Sequence, residues 1–333
     1  MTQKRKKGLS KTVATVVSLS LAAVIAIALL ITNIFIPVKY LFAYFVTADK
    51  NKPYAMRVTF VNVGYGDCTA VEFPDGKVML VDGGDGSYYN QLKIFTELNA
   101  RGIEKIDYLL CTSVSEERCG GLAEILKYKT AEKVYAPYYP VTYLNEGFRS
   151  FREAVKEFEI IEYGAGVFND EYGYNFCVLS PSAHDLSGGE YDILAQDPST
   201  KNINDASAVI WIEYCGKAFL LCGNVSSEIQ DKLIEKFQKG LEVDGRTLDL
   251  SRCTVIKVPN HGSYFAANAE LYDAAKPEYA VLSVGDNGFG NPTAQALSLA
   301  QGCVGENIYR TDTDGTVVFT VTDGGITVKK EKV

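Results

Sequence analysis

VTFVNVGYGDCTAVEFPDGKVMLVDGG, residues 58–84, reads as three strands joined by two tight turns. MRVTFVNV (56–63) alternates in strand fashion and GYGDC is a glycine turn. TAVEF (69–73) is a second strand, PDGK turns again, and VMLV runs into Asp82-Gly83-Gly84. The result is an antiparallel meander, and it places the start of the globular body near Met56.

From there strands and helices alternate. A helical period at 88–101 is followed by strand YLLCT and a helix from Leu122 to about Lys129. Strand KVYAP and a helix around 146–158 close the first half. The second half repeats the rhythm with strands SAVIWIEY and KAFLLCGN, a helix from Ser226 to about Lys239, and strand TVIKVPNHGS. A helix at 267–275, strand YAVLSVG, a helix at 293–300 and a hairpin at 316–329 complete it. Two comparable halves of this kind predict an α/β fold, a four-layer αββα sandwich.

The segment ahead of the meander has another character. Val13 to Ile36 contains no charged residue, and as a helix those 24 residues would extend roughly 36 Å, enough to span a bilayer. Lys4, Arg5, Lys6, Lys7 and Lys11 precede the run and Lys39 follows it, so the N-terminus is expected on the cytoplasmic side and the body outside. A cleaved signal peptide would have a shorter apolar core and a small-x-small cleavage site. The expected organisation is a basic tail at 1–11, a transmembrane helix at 12–37, an aromatic connector with Tyr40, Tyr44 and Tyr54 at 38–55, and one domain at 56–333.

Residues 1–47 carry six basic side chains and no acidic one, which leaves 27 basic against 41 acidic in the remainder. A domain with that balance repels a phosphate backbone, which argues against general nucleic-acid binding. Eight cysteines stand at 68, 111, 119, 177, 215, 222, 253 and 303 with no C-x-x-C spacing. Cys111, Cys177, Cys215 and Cys222 lie in or beside apolar runs, so buried free thiols are expected, although the predicted compartment permits disulfides.

LLCTSVSEERCGGL, residues 109–122, sets an apolar strand before a Gly-Gly turn and a helix, with Ser113, Ser115, Glu116, Glu117 and Arg118 between. The end of a strand leading into a helix is where α/β folds place their sites. Cys119 beside Arg118 is a candidate reactive thiol, but the sequence sets no histidine base beside it.

Taken in order, the 58–84 and 109–122 stretches, NDASAVIWIEYCGKAFLLCGN, VIKVPNHGS and YRTDTDGTVVFTVTDG resemble the successive motifs of the metallo-β-lactamase fold family. They are most similar to the extracytoplasmic C-terminal domain of ComEC competence proteins. The resemblance implies a T-H-x-H-x-D-H metal motif, of which Thr112 keeps its place, as do Gly120, Gly121 and Leu122 just after it. The two leading histidines are replaced by Ser113 and Ser115, the aspartate by Glu117 and the last histidine by Arg118. The metal-bridging Asp position is Asn224, the His-His-Gly-Ser motif begins Asn260-His261, and the following His-Pro position is Asn291. Asp67 and Asp82 stand in turns that the family retains and are expected to support the pocket.

Serine and asparagine are poor ligands for zinc-type ions. A guanidinium about 4 Å from a divalent ion costs on the order of 8 kcal/mol at an effective dielectric of 20. No metal cofactor is therefore expected. Arg118 is expected at the metal position, paired with Glu117 or Glu116 or holding an anionic ligand.

Two functions stay open at this point. One is a membrane-anchored pseudoenzyme that binds a ligand or a protein partner. The other is a hydrolase or nuclease, linked to DNA uptake, with zinc or manganese on an unorthodox set such as Glu117, His261 and a cysteine. His184 and His261 are the two histidines of the chain, too few for a histidine-rich dinuclear centre.

Overall fold

The computed structural model describes residues 11–35, 55–138, 145–182, 190–191, 193 and 197–331. His184 and the tyrosines of the connector lie outside them.

Among the described residues the body is built on two large sheets. The first runs, edge to edge, Gly325–Lys330, Val317–Thr322, Met56–Phe60, Thr69–Glu72, Val78–Val81, Lys105–Leu110, Thr130–Ala136 and Glu159–Ile160. Its first five strands pair antiparallel and contain the meander, and the remaining pairings are parallel. The second runs Ile308–Arg310, Tyr279–Leu282, Cys253–Lys257, Lys217–Leu221, Val209–Tyr214, Tyr174–Ser180 and Gly166–Asn169.

Alternation along the strands sends one side-chain set inward and the other outward. Val58, Phe60, Tyr108 and Phe319 of the first sheet meet Phe176, Ile210, Ile212 and Phe219 of the second in a shared core. The opposite face of the first sheet packs Leu80 and Leu109 against Ile94, Phe95, Ile125 and Phe148. These come from helices Tyr88–Ala100, Leu122–Tyr128 and Glu146–Ala154. The outer face of the second packs Trp211, Leu220 and Ile256 against helices Ser227–Gln238, Ala269–Ala275 and Ala294–Val304. The layers run helix, sheet, sheet, helix, as the alternation predicts.

The sequence reading differs from the structure at edges. The helix expected over 146–158 stops at Ala154, because Glu159–Ile160 joins the first sheet by parallel pairing. Strands Gly166–Asn169 and Tyr174–Ser180 were not foreseen, and they form the second sheet's antiparallel edge.

All eight cysteines are free thiols. Cys215 is exposed rather than buried, because it occupies a hairpin turn at φ 49. A helix spans Lys11–Phe35, and its side chains, described over 15–28, are exposed and mostly apolar. Among the described residues no helix is long and apolar enough to cross a membrane; the span expected at 12–37 extends past them.

Candidate functional site: a buried guanidinium centre

The strand Lys105–Leu110 ends in the Thr112–Arg118 loop, which turns through a short helix, Glu116–Cys119. The loop is drawn tightly against its neighbour. The Asp67 N–H donates to the Glu117 carbonyl (3.1 Å), and a Cβ at Gly66 would stand 2.5 Å from that same oxygen. Only glycine permits this approach.

Arg118 leaves this loop pointing inward and is 1% exposed. Its Nη1 donates to Asp82 Oδ2 (3.0 Å) and to Thr112 Oγ1 (3.0 Å), and its Nε and Nη2 donate to Asn224 Oδ1 (3.1 and 2.6 Å). Nη2 also forms an ion pair with Asp67 Oδ2. The expected pairing with Glu117 or Glu116 is not formed. Glu117 Oε1 instead accepts from Asn224 Nδ2 (2.9 Å), and Glu116 Oε2 accepts from the Gly147 N–H (3.4 Å). With its donors turned inward on these partners, Arg118 does not reach an external anion.

Lys257 completes the cluster. It is 3% exposed, and its Nζ pairs with Asp67 Oδ1 (2.8 Å) and donates to the Cys222 carbonyl (3.3 Å). Two cations and two carboxylates thus share one buried pocket. Burial alone would raise the Asp67 pKa, but the Arg118 and Lys257 charges outweigh it and hold the carboxyl well below its usual range. Burial dominates at Asp82 and pushes it up to about 6 against the pull of Arg118. It also pulls Lys257 down, with Asp67 opposing.

Asp82 sits at φ 61, a conformation that costs a residue with a side chain about 1–3 kcal/mol. The Thr112 N–H (2.7 Å) and Thr112 hydroxyl (2.6 Å) both donate to it, which holds it in place.

His261 lies on the neighbouring loop at φ 54, buried, with Nδ1 donating to the Ser283 carbonyl (2.8 Å). Nε2 has no hydrogen-bond partner among the described residues, and the ring packs on Tyr65 (centroids 4.5 Å apart). Burial, helped by the Arg118 and Lys257 charges, pushes its pKa down to about 4. The unfolded chain therefore takes a proton near pH 6.5 that the folded state refuses until about pH 4, so stability falls across that window on acidification. His261→Asn tolerates the same backbone and removes this loss. Its melting temperature relative to the parent should rise from pH 7 to pH 4.5, and a constant difference between the two proteins would refute the assignment.

The other expected positions are more peripheral. The Ser113 hydroxyl donates to Ser115 Oγ (3.1 Å) and accepts from the Ser115 N–H (3.3 Å). The Asn260 N–H donates to the Gly223 carbonyl (2.9 Å), and Asn291 Nδ2 donates to the Tyr65 hydroxyl (3.2 Å). Cys119 is fully buried, and burial with nearby Glu116 and Asp82 raises its thiol pKa well above normal, the opposite of an activated nucleophile.

The residues present do not fit a divalent ion. A guanidinium lies between the carboxylates, an ammonium flanks it, and the Asn224 oxygen is taken by Arg118. Among the described residues no group of three or more His, Cys, Asp or Glu side chains is placed to hold a metal, so the set of Glu117, His261 and a cysteine is not assembled. Sequence reasoning passed over Lys257. A lysine at an inward position of an otherwise apolar strand, VIKV, was the signal that could have found it.

No family model matches the chain. It is 24% identical over 286 residues to ComE operon protein 3 of Bacillus subtilis, covering 79% of this chain and 32% of that protein. It is 25% identical over 246 residues to competence protein ComA of Neisseria gonorrhoeae, covering 73% and 29%. The chain therefore spans about a third of the length of these relatives. Among solved structures, the metallo-β-lactamase fold protein YhfI of Bacillus subtilis superposes with a TM-score of 0.47 at 9% identity, over 80% of this chain and 99% of that one. CmlA, a diiron β-hydroxylase from Streptomyces venezuelae, gives 0.44 at 13% identity over 84% and 55%. In motif order and sequence likeness, the domain is similar to the metallo-β-lactamase-fold part of ComEC-type competence proteins, with its metal motifs replaced.

Proposed function

We propose that this protein is a membrane-anchored, extracytoplasmic pseudoenzyme, a metallo-β-lactamase-type domain that binds a ligand or partner without metal catalysis. The observation that carries the reading is the placement of Arg118. Its guanidinium gathers Asp67, Asp82, Thr112 and Asn224 and supplies, with Lys257, the positive charge a metal would otherwise bring. In metal-dependent sites binding energy is folding energy; here an internal ion network takes that part. Ser113, Ser115, Asn224, Asn260 and Asn291 are the replaced ligand positions of the family motif.

Chelation tests this directly. EDTA should leave the melting temperature of the purified protein unchanged. A drop of several degrees that zinc or manganese restores would overturn the proposal.

Anchoring rests on the charge-free run 13–36 and the basic residues before it. Protease added to sealed right-side-out vesicles should digest the body, and complete protection would reverse the orientation. The likeness to competence proteins covers about a third of their length.

A further inference from the structure

A second feature adjoins the guanidinium centre. A cavity of about 390 Å³ opens beside it, with Asn224 as the shared wall between the two. The volume lies within the range of roughly 300–1,000 Å³ typical of small-molecule sites. Thr200, Asn204, Ser226, Asn260 and Phe265 line it together with the charged side chains of Lys201, Asp205 and Glu228.

The wall is chemically specific. Amides and hydroxyls each donate and accept, so they suit a ligand dense in hydroxyl groups. Ser226 occupies the N-cap of the helix Ser227–Gln238 yet makes no cap bond, and its hydroxyl has no hydrogen-bond partner among the described residues. Such a group usually caps the helix.

Charge in the cavity is internally compensated. Lys201 pairs with Asp205 (2.7 Å) and Glu228 (3.2 Å), and Glu228 also meets Lys232 (3.7 Å). With Arg118 sealed by its own partners, no free cation among the described residues faces the space to prefer an anion.

Phe265 supplies the apolar component. It is 75% exposed, on a 3-10 turn whose Phe265 N–H donates to Ser263 Oγ (3.4 Å). One exposed phenylalanine is unremarkable on a surface. A ring standing open at the edge of a wall of amides, hydroxyls and mutually paired charges has the pattern of a pyranose site, because a sugar ring has an apolar C–H face and a polar rim.

We infer that this cavity binds a neutral saccharide, its C–H face on Phe265 and its hydroxyls on Asn204, Asn260 and Ser226. The inference rests on the metal-free reading of the adjoining centre and names the class of ligand it serves. The full-length protein, in a detergent without a sugar headgroup, is titrated by calorimetry with an N-acetylglucosamine trimer and with maltotriose, with EDTA present.

At least one of the two should bind. Phe265→Ala should weaken that binding about tenfold or more, the scale of a lost stacking contact, and Phe265→Trp should retain it. Absence of binding by both sugars, or binding indifferent to Phe265→Ala, overturns the inference and leaves the metal-free reading standing. Binding that appears only when EDTA is replaced by manganese or zinc overturns both.

Discussion

Arg118→Ala should destabilise the domain by about 3–5 kcal/mol, a loss expected when one partner of a buried ion pair is removed, against roughly 0–1 kcal/mol for an exposed pair. The alanine leaves Asp82 with the Thr112 bonds and no cation, in a place where burial already pushes its pKa up to about 6. Thermal unfolding should register a fall on the order of 10 °C. The partners also dictate the rescue. Asp82→Asn in the Arg118→Ala background should restore much of the loss, because the orphaned carboxylate is then neutral. Glu117→Gln should restore little, since Glu117 bonds to Asn224 and not to the guanidinium. Arg118→Lys should fall short of the parent as well, because an ammonium cannot reproduce the fork that meets Asp67, Asp82 and Asn224 together. An Arg118→Ala protein as stable as the parent would show that the network does not hold the pocket.

Asp67→Asn should be of similar size, about 3–5 kcal/mol, for the complementary reason. Asp67 receives Arg118 on one oxygen and Lys257 on the other, so neutralising it leaves two buried cations with Asp82 as the remaining carboxylate of the cluster. Among the described residues Lys257 then keeps neutral oxygens, the Cys222 carbonyl at 3.3 Å among them, in place of its carboxylate partner. Adding Lys257→Met should recover a substantial part of the stability by withdrawing the unbalanced charge. A denaturant titration of the single and double variants decides it. An Asp67→Asn midpoint within error of the parent's, or a double variant weaker than the single, would mean that the two cations are balanced by other groups.

The architecture was legible because its signal is local. The meander follows from period-two alternation interrupted by Gly64-Tyr65-Gly66 and Pro74-Asp75-Gly76, and the core helices follow from apolar spacing, each within one stretch of chain. What escaped notice at the edges, strands Gly166–Asn169 and Tyr174–Ser180, lay in residues whose strand character is completed by pairing with each other and, for Tyr174–Ser180, with Val209–Tyr214. Pairing is not a property of a single segment.

The candidate site divides the same way. Which ligand types the motifs contain was fixed residue by residue: serine at 113 and 115, arginine at 118, asparagine at 224, and histidine at 261. Where the charge of Arg118 goes was decided only by the folded chain. The sequence suggests Glu116 and Glu117 because they are adjacent, but consecutive residues on a helical turn point in different directions and do not meet one another. The partners that do meet the guanidinium come from strand ends and loops of both sheets, with Asp82 and Asn224 lying 36 and 106 residues away. Sequence proximity set the helical turn; burial, which makes an unpaired charge too costly to leave inside, selected the carboxylates that the two sheets bring together.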